Sequence, residues 1–253
     1  MTTSKKVTKV TGGDDAPQKT TFVPTAEAKG KATQLRIFAV IAWVLAIGAQ
    51  IGAISLLFKE PVSMMWIIIL IVVDLIFAVI GALLWKKSNR LDPASEKNKF
   101  KFFMQSQLGL VVAVIAFLPL IIFILTSKNL DGKQKGILGG IAALALVIAG
   151  VVGTDFNPPS VEQYTEQTSR IEQLTGGNSV YWTKSGTRYH IYDTCSHINT
   201  SRTDTIFNGT VANARELKNI TELCKSCENK AEKARGLTDD ILPKTEEITE
   251  TTN

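Results

Sequence analysis

Four long apolar runs, all between residues 35 and 153, restrict the folds open to this chain more than any other feature of its sequence. At about 1.5 Å rise per residue, a helix of roughly 20 apolar residues crosses a hydrocarbon layer about 30 Å thick. The runs lie at about residues 37–58, 62–85, 106–126 and 136–153. The pattern therefore predicts an all-α membrane bundle of four transmembrane helices over residues 35–153.

Short connections and small residues indicate how these helices pack. Only residues 59–61 separate the first two runs, so the two helices form an antiparallel hairpin. Pro119 lies inside the third run, where its missing N–H predicts a kink. Small residues spaced four apart predict close contacts between helix backbones. These residues are Gly48 and Gly52, Gly136 and Gly140, and Ala145, Ala149 and Gly153.

The lysines and arginines near the membrane predict the orientation of the chain, because cytoplasmic loops carry an excess of them. Nine lie in the N-terminal arm and in the loop after the second run: Lys29, Lys31, Arg36, Lys86, Lys87, Arg90, Lys97, Lys99 and Lys101. Four lie on the opposite side: Lys59, Lys128, Lys133 and Lys135. We expect a multi-pass membrane protein with both its N-terminus and its C-terminus in the cytoplasm.

The segments at the two ends of the chain are polar. Residues 1–34 are predicted to form a disordered basic arm, because they hold too little apolar surface to offset the entropy of folding. The same reasoning predicts a disordered acidic tail at residues 231–253. Residues 10–20 lack the short apolar core of a signal peptide, so the first span is expected to stay in the mature protein.

Between the bundle and the tail, the sequence predicts a linker helix at residues 160–175 and a small α+β module at residues 179–230. Within the module, residues 180–183 and 188–191 have a strand-like pattern on either side of a turn, which predicts a β-hairpin. A short helix is predicted at Val211–Lys218.

All three cysteines of the chain and both histidines lie in this module. Cys224 and Cys227 have the two-residue spacing with which two thiolates bind one ion from a turn. His190 and Cys195 supply a second ligand pair from the end of the hairpin. Three thiolates and one imidazole close a tetrahedral site, as expected for structural Zn²⁺. His197 is the alternative fourth ligand, but its closeness to Cys195 in sequence strains a shared tetrahedron and favours His190.

Other interpretations of the cysteines remain open. A module this small, with few aliphatic residues, needs metal or disulfides to fold, and a reducing cytoplasm favours metal. A disulfide between Cys224 and Cys227 would leave Cys195 free. A thiol redox site would use the same two-residue spacing, although no βαβ pattern surrounds it. Thiol or methyl-transfer chemistry at a cysteine is a further, weaker hypothesis.

The module also resembles a known family of small metal-binding domains. The resemblance rests on Tyr181, Trp182, Thr183, Gly186, Tyr189, His190, Cys195, Ala214, Cys224, Lys225, Ser226 and Cys227. These residues, within Val180–Cys227, resemble the Ada-type modules found in many bacterial proteins. In the Ada DNA-repair protein four cysteines bind zinc, and the first accepts a methyl group. His190 occupies that leading position here, so the resemblance implies a fold and a metal but not methyl transfer. The expected location is a bacterial plasma membrane.

Asp74 is an ionisable residue in the middle of the second apolar run, where a charge costs about 2.5–3.5 kcal/mol even on insertion scales. Its side chain is expected to face the interior of the bundle. One interpretation is an ion or proton site, with Gln50 of the first span as a partner. The other is a protonated or hydrogen-bonded contact between helices. The apolar runs contain no basic partner for Asp74, which favours this second interpretation.

These features together favour a binding protein over an enzyme, since no residue requires catalysis to explain it. The leading hypothesis is an integral membrane protein whose zinc-stabilised cytoplasmic module binds a protein partner or forms homo-oligomers. The alternative is a small transporter or channel that uses Asp74, with the zinc module as its regulator. The lipid bilayer is an expected partner. Nucleic acid is not expected, because Asp14, Asp15 and Glu27 interrupt the basic arm, and no small-molecule substrate is indicated.

Overall fold

The structure, a computed structural model, describes residues 6–9, 22–218 and 220–236. The described residues form two compact units. The membrane unit contains residues 22–165. The metal-binding unit contains residues 6–9, 166–218 and 220–236.

Four long apolar helices make up most of the membrane unit. They are α1 (Ala26–Leu57), α2 (Met64–Leu91), α3 (Lys99–Thr126) and α4 (Gly132–Gly153). Each is long and apolar enough to cross a membrane. Large apolar side chains point outward along all four, for example Val44, Ile76, Ile122 and Val147. This surface suits lipid rather than water, and it fits a multi-pass membrane protein.

The first helix begins earlier than the sequence predicts. The prediction of a disordered arm over residues 1–34 is wrong for residues 26–34, which form the first turns of α1. Thr25 caps the helix, because its Oγ1 accepts a hydrogen bond from the N–H of Ala28 at 3.1 Å. Glu27 and Lys31 form an i,i+4 ion pair at 2.6 Å. Residues 6–9 also form a strand, whereas the rest of the predicted arm before residue 22 lies outside the described residues.

Hydrogen bonds join the helix ends at both faces of the bundle. At one face, Asn129 Nδ2 donates to the Leu57 carbonyl oxygen at 3.0 Å, which places the α1–α2 and α3–α4 connections side by side. At the other, Arg36 Nη1 donates to Asp92 Oδ2 at 2.8 Å. The chain before α1 meets the chain after α4 at this second face, where the N–H of Phe22 donates to Thr165 Oγ1 at 2.9 Å. The four helices therefore alternate in direction, and the chain enters and leaves the bundle at the same face.

Small residues let α3 and α4 approach closely. A Cβ atom built on Gly109 would lie 2.8 Å from the carbonyl oxygen of Gly153, closer than real Cβ atoms come to other atoms. The predicted small-residue contact at Gly153 is therefore present. It is absent at Gly48, Gly136 and Gly140, where an added Cβ would meet no described atom within 4 Å. Their faces point away from neighbouring helices, which the spacing alone does not reveal.

Two small sheets lie in the metal-binding unit. The first has the order β1-β4-β2, with β4 (Thr205–Gly209) between β1 (Lys6–Lys9) and β2 (Val180–Thr183). β4 pairs antiparallel with β2 and parallel with β1. The second sheet pairs β3 (Arg188–Tyr189) with β5 (Glu222–Leu223) in parallel. Sequence reasoning did not find β1, β4 or β5.

The predicted β-hairpin is present in reduced form. Its turn closes with a hydrogen bond from the N–H of Gly186 to the Thr183 carbonyl oxygen at 3.3 Å. A single bridge then joins Tyr181 to His190, whose backbone groups exchange two hydrogen bonds of 2.7 Å. The main partner of β2 is β4 rather than β3.

Three helices complete the metal-binding unit. α5 (Val161–Thr175) begins in the membrane unit and continues into this one, α6 is Val211–Lys218, and α7 is Lys225–Arg235. The prediction of a disordered tail from residue 231 is wrong for residues 231–235, because Ala231 is buried and α7 runs on to a left-handed Gly236. Residues 237–253 of the predicted tail lie outside the described residues.

The core of the metal-binding unit is small. It groups aliphatic and aromatic side chains with two of the cysteines. Its buried members are Ile171, Leu174, Val180, Trp182, Tyr189, Ile191, Val211, Ala214, Ile220, Cys224, Cys227 and Ala231. Two of the potential ligands, Cys224 and Cys227, therefore lie within the core itself, and the partly buried Cys195 packs against it.

Candidate metal centre

Three local features bring potential ligands together in the metal-binding unit. His190 directly follows β3, and Cys224 is the N-cap residue of α7. Cys227 lies in the first turn of α7, so the two-residue spacing places both thiols at the helix N-terminus. Cys195 lies in the loop after β3, where its carbonyl oxygen accepts hydrogen bonds from the N–H groups of Ile198 and Asn199 at 3.0 and 2.7 Å.

The second sheet holds the hairpin beside α7. Tyr189 pairs with Leu223, and the N–H of Cys224 donates to the Tyr189 carbonyl oxygen at 2.9 Å. Tyr189 is itself buried, so this connection is shielded from solvent. His190 and Cys224, far apart in sequence, are thereby fixed as neighbours.

The four predicted ligands converge. One ligand atom from each of His190, Cys195, Cys224 and Cys227 lies within 4.8 Å of all the others, a cluster that could hold a metal ion. Cys227 Sγ is 3.7 Å from His190 Nδ1. Ligand atoms about 2.0–2.3 Å from one ion are about 3.3–3.8 Å apart in a tetrahedral site. The shortest separations already fit that geometry, and the widest would shorten by about 1 Å around an ion.

His197 also lies against the cluster. Its Nδ1 atom is 3.6 Å from Cys195 Sγ and 3.9 Å from Cys224 Sγ, and its ring stacks on that of His190 with 6.4 Å between centroids. The side chain of His197 is exposed, whereas that of His190 is 4% exposed. An imidazole in this position is able to donate an N–H hydrogen bond to a thiolate.

Burial sets the protonation of the two innermost ligands. Desolvation, helped by the nearby charges of His197 and Arg188, lowers the pKa of His190 to about 4. The imidazole is therefore neutral at physiological pH, the form that binds a metal. Desolvation raises the pKa of Cys227 to about 12, and a cation in the cluster would oppose this by favouring the thiolate.

Cys224 differs from Cys227 because it caps a helix. Burial by itself raises the pKa of the Cys224 thiol, but the nearby backbone N–H groups of Cys227 and Ser226 and the neighbouring thiols favour the thiolate and bring the pKa below its ordinary value. The N-terminus of α7 thus favours a thiolate at this position. All three cysteines are free thiols in the structure.

An ion pair that sequence reasoning missed ties α5 to α7. Arg170 of α5 donates to Glu228 Oε1 from Nε and Nη2, both at 3.0 Å, and also pairs with Glu232. Glu228 follows Cys227 directly, so the pair holds the helix that carries two of the potential ligands. The i,i+4 spacing of Glu228 and Glu232 on one helix face was the available signal.

Asp74 belongs to the membrane unit. Its side chain is 0% exposed, as predicted for a residue that faces the bundle. Neither of its carboxylate oxygens has a hydrogen-bond partner among the residues that the structure describes. Gln50 is not that partner, because its Nε2 donates to the Ile115 carbonyl oxygen of α3 at 3.1 Å. The predicted Asp74–Gln50 pair is therefore wrong.

Comparisons with protein-family models, with curated proteins and with solved structures give no match to this chain. The resemblance to Ada-type modules stays a prediction from the sequence. What the structure provides independently is the cluster of three thiols and one imidazole.

Proposed function

We propose that this chain is an integral membrane protein that displays a zinc-stabilised cytoplasmic module, through which it binds a protein partner or assembles with itself. One observation supports this most directly: the ligand atoms of His190, Cys195, Cys224 and Cys227 lie within 4.8 Å of one another at a small core. A core of this size gains much of its stability when an ion joins its strands and helix.

The donor set favours zinc. Three soft sulfur ligands and one imidazole suit Zn²⁺ in tetrahedral geometry, whereas Mg²⁺ and Ca²⁺ prefer oxygen ligands. Four protein ligands leave no open coordination position for a water molecule or a substrate, so the ion has a structural role. A structural ion makes the surface of the module, rather than its centre, the functional part.

Metal content and amide exchange of the full-length protein in lipid nanodiscs test this proposal. We expect about one zinc ion per chain. The Cys224→Ser variant should lose most of the zinc, while the matched control Ser226→Ala, at an exposed position between the two cysteines, should keep it. Chelation should remove amide protection from residues 180–218 while α1–α4 stay protected. Full protection of these residues in metal-free protein would contradict the proposal.

Self-assembly and partner binding predict different masses. If the module joins copies of the chain, chelation should reduce the mass of the solubilised particle measured by light scattering. A monomeric mass that is the same with and without zinc supports a different protein as the partner.

A second candidate function is a small transporter or channel. The supporting observation is Asp74, a carboxyl that is fully buried and has no hydrogen-bond partner among the described residues. A group of this kind in a membrane bundle is a candidate site for a proton or a small cation. Proton and cation flux into liposomes should fall in Asp74→Asn if the candidate is correct. Flux that is absent, or equal in the wild type and the variant, removes it.

A further inference from the structure

We propose that the metal-binding unit binds the chain's own N-terminal segment as an edge strand of four residues, and that the bound ion controls this capture. The control by metal rests on the proposed function above, whereas the capture rests on strand pairing alone. The captured segment is β1, residues Lys6–Lys9, and the receptor is the outer edge of β4.

The pairing is regular along the whole of β1. Its residues align in parallel with Thr205, Ile206, Phe207 and Asn208 of β4 without a break in register. An added strand of this kind is held through backbone hydrogen bonds, as in other proteins that bind extended peptides at a sheet edge. Without β1, the edge of β4 would present unpaired N–H and C=O groups.

A continuous set of contacts connects this edge to the candidate metal centre. β4 pairs on its inner side with β2, where Trp182 is buried and stacks on Phe207 with 6.2 Å between ring centroids. Tyr181 of β2 pairs with Asn208 of β4. The backbone groups of Tyr181 also form two 2.7 Å hydrogen bonds with those of His190. The strand order from the outside inward is thus β1, β4, β2 and then a metal ligand. If the ion is needed to order His190 and β2, it is needed to present the β4 edge.

The capture pairs segments that are far apart in the chain. β1 precedes α1 in sequence, and β4 follows α4. In the zinc-loaded protein residues 6–9 are held on β4, and loss of zinc releases them.

Hydrogen exchange of the full-length protein in nanodiscs tests the capture, with zinc content measured on the same sample. In the zinc-loaded protein, amides of residues 6–9 should exchange about tenfold or more slowly than in the chelated protein. The double variant Val7→Pro/Thr8→Pro should lose this protection. Successive residues direct their backbone groups to opposite edges, so one of these two prolines removes a pairing N–H whichever residue faces β4. The control Thr2→Pro/Thr3→Pro, outside β1, should retain it.

The outcomes separate the two proposals. Protection of residues 6–9 that depends on zinc, with normal zinc content in Val7→Pro/Thr8→Pro, supports the capture. Fast exchange of residues 6–9 in a zinc-loaded protein whose β2 and β4 are protected overturns the capture and leaves metal binding intact. Protection that persists after chelation overturns control by the ion. A chain that holds no zinc overturns the proposed function, and control by metal with it.

Discussion

Two imidazoles lie beside the three thiols, and they differ in their surroundings. His190 is buried and has its Nδ1 atom 3.7 Å from Cys227 Sγ. His197 is exposed and approaches Cys195 Sγ at 3.6 Å from outside the core. A buried neutral imidazole is the better ligand, and an exposed one beside a thiolate is the better hydrogen-bond donor.

This difference predicts unequal effects of the two histidines on zinc binding. His190→Ala should remove a ligand and abolish stoichiometric zinc binding. His197→Ala should weaken affinity by only about 10-fold to 100-fold, the usual effect of losing a group that hydrogen-bonds to a ligand. Competition titrations with a zinc chelator, together with the absorption spectrum of the cobalt-substituted protein, measure both effects. Zinc retained in His190→Ala but lost in His197→Ala would reverse the assignment.

At the level of single residues, the sequence predicts which residues are potential metal ligands better than it predicts which residues contact each other. The spacing of Cys224 and Cys227, with Cys195 and His190 nearby, is sufficient to predict the cluster because few residue types bind soft metals. The interactions of Gln50 could not be predicted in the same way. Its acceptor is the backbone oxygen of Ile115, and a backbone acceptor leaves no signal in the sequence.

Among the elements, the contact between α3 and α4 gives a sharp prediction. Gly153→Ala should destabilise the bundle by about 1–3 kcal/mol, because the new Cβ would lie 2.6 Å from backbone atoms of Gly109 and force the helices apart. Gly140→Ala on the same helix is the control, since its Cβ would meet no described atom within 4 Å. Unfolding in a graded series of denaturing detergent mixtures, monitored by circular dichroism, measures the difference. An equal loss in both variants would assign the effect to α4 itself and contradict the contact.

The elements also show where sequence patterns stop being informative. The membrane helices are predictable because lipid requires long apolar segments with all backbone groups bonded internally. The ends of the helices are harder to predict from the sequence. The helix α1 starts at Ala26 because Thr25 caps it, and this cap is a local feature in a polar segment. The strands β1 and β4 are short and mostly polar, and their order comes from pairing across almost the whole chain. No local pattern specifies such a pairing.

At the scale of the whole molecule, two features pair segments that precede α1 with segments that follow α4. The hydrogen bond between Phe22 and Thr165 joins the segments before α1 and after α4. The pairing of β1 with β4 joins segments still farther from the helices, within the metal-binding unit. Both require an even number of crossings, in agreement with four spans. The cytoplasmic location of the two termini is predicted from the basic residues near the membrane.

Reporter fusions in a bacterial host test both parts of this topology. A reporter that is active only in the cytoplasm should be active at the N-terminus and at the C-terminus, and inactive when inserted after Lys59 or after Lys128. The excess of lysine and arginine in the N-terminal arm and in the loop between α2 and α3, nine against four on the opposite side, is the physical reason. Activity at only one terminus would contradict the four spans. Activity confined to the two inserted positions would keep the four spans but place the thiols of Cys195, Cys224 and Cys227 outside the cell. In that oxidising environment a disulfide would replace zinc as the expected state of the cysteines.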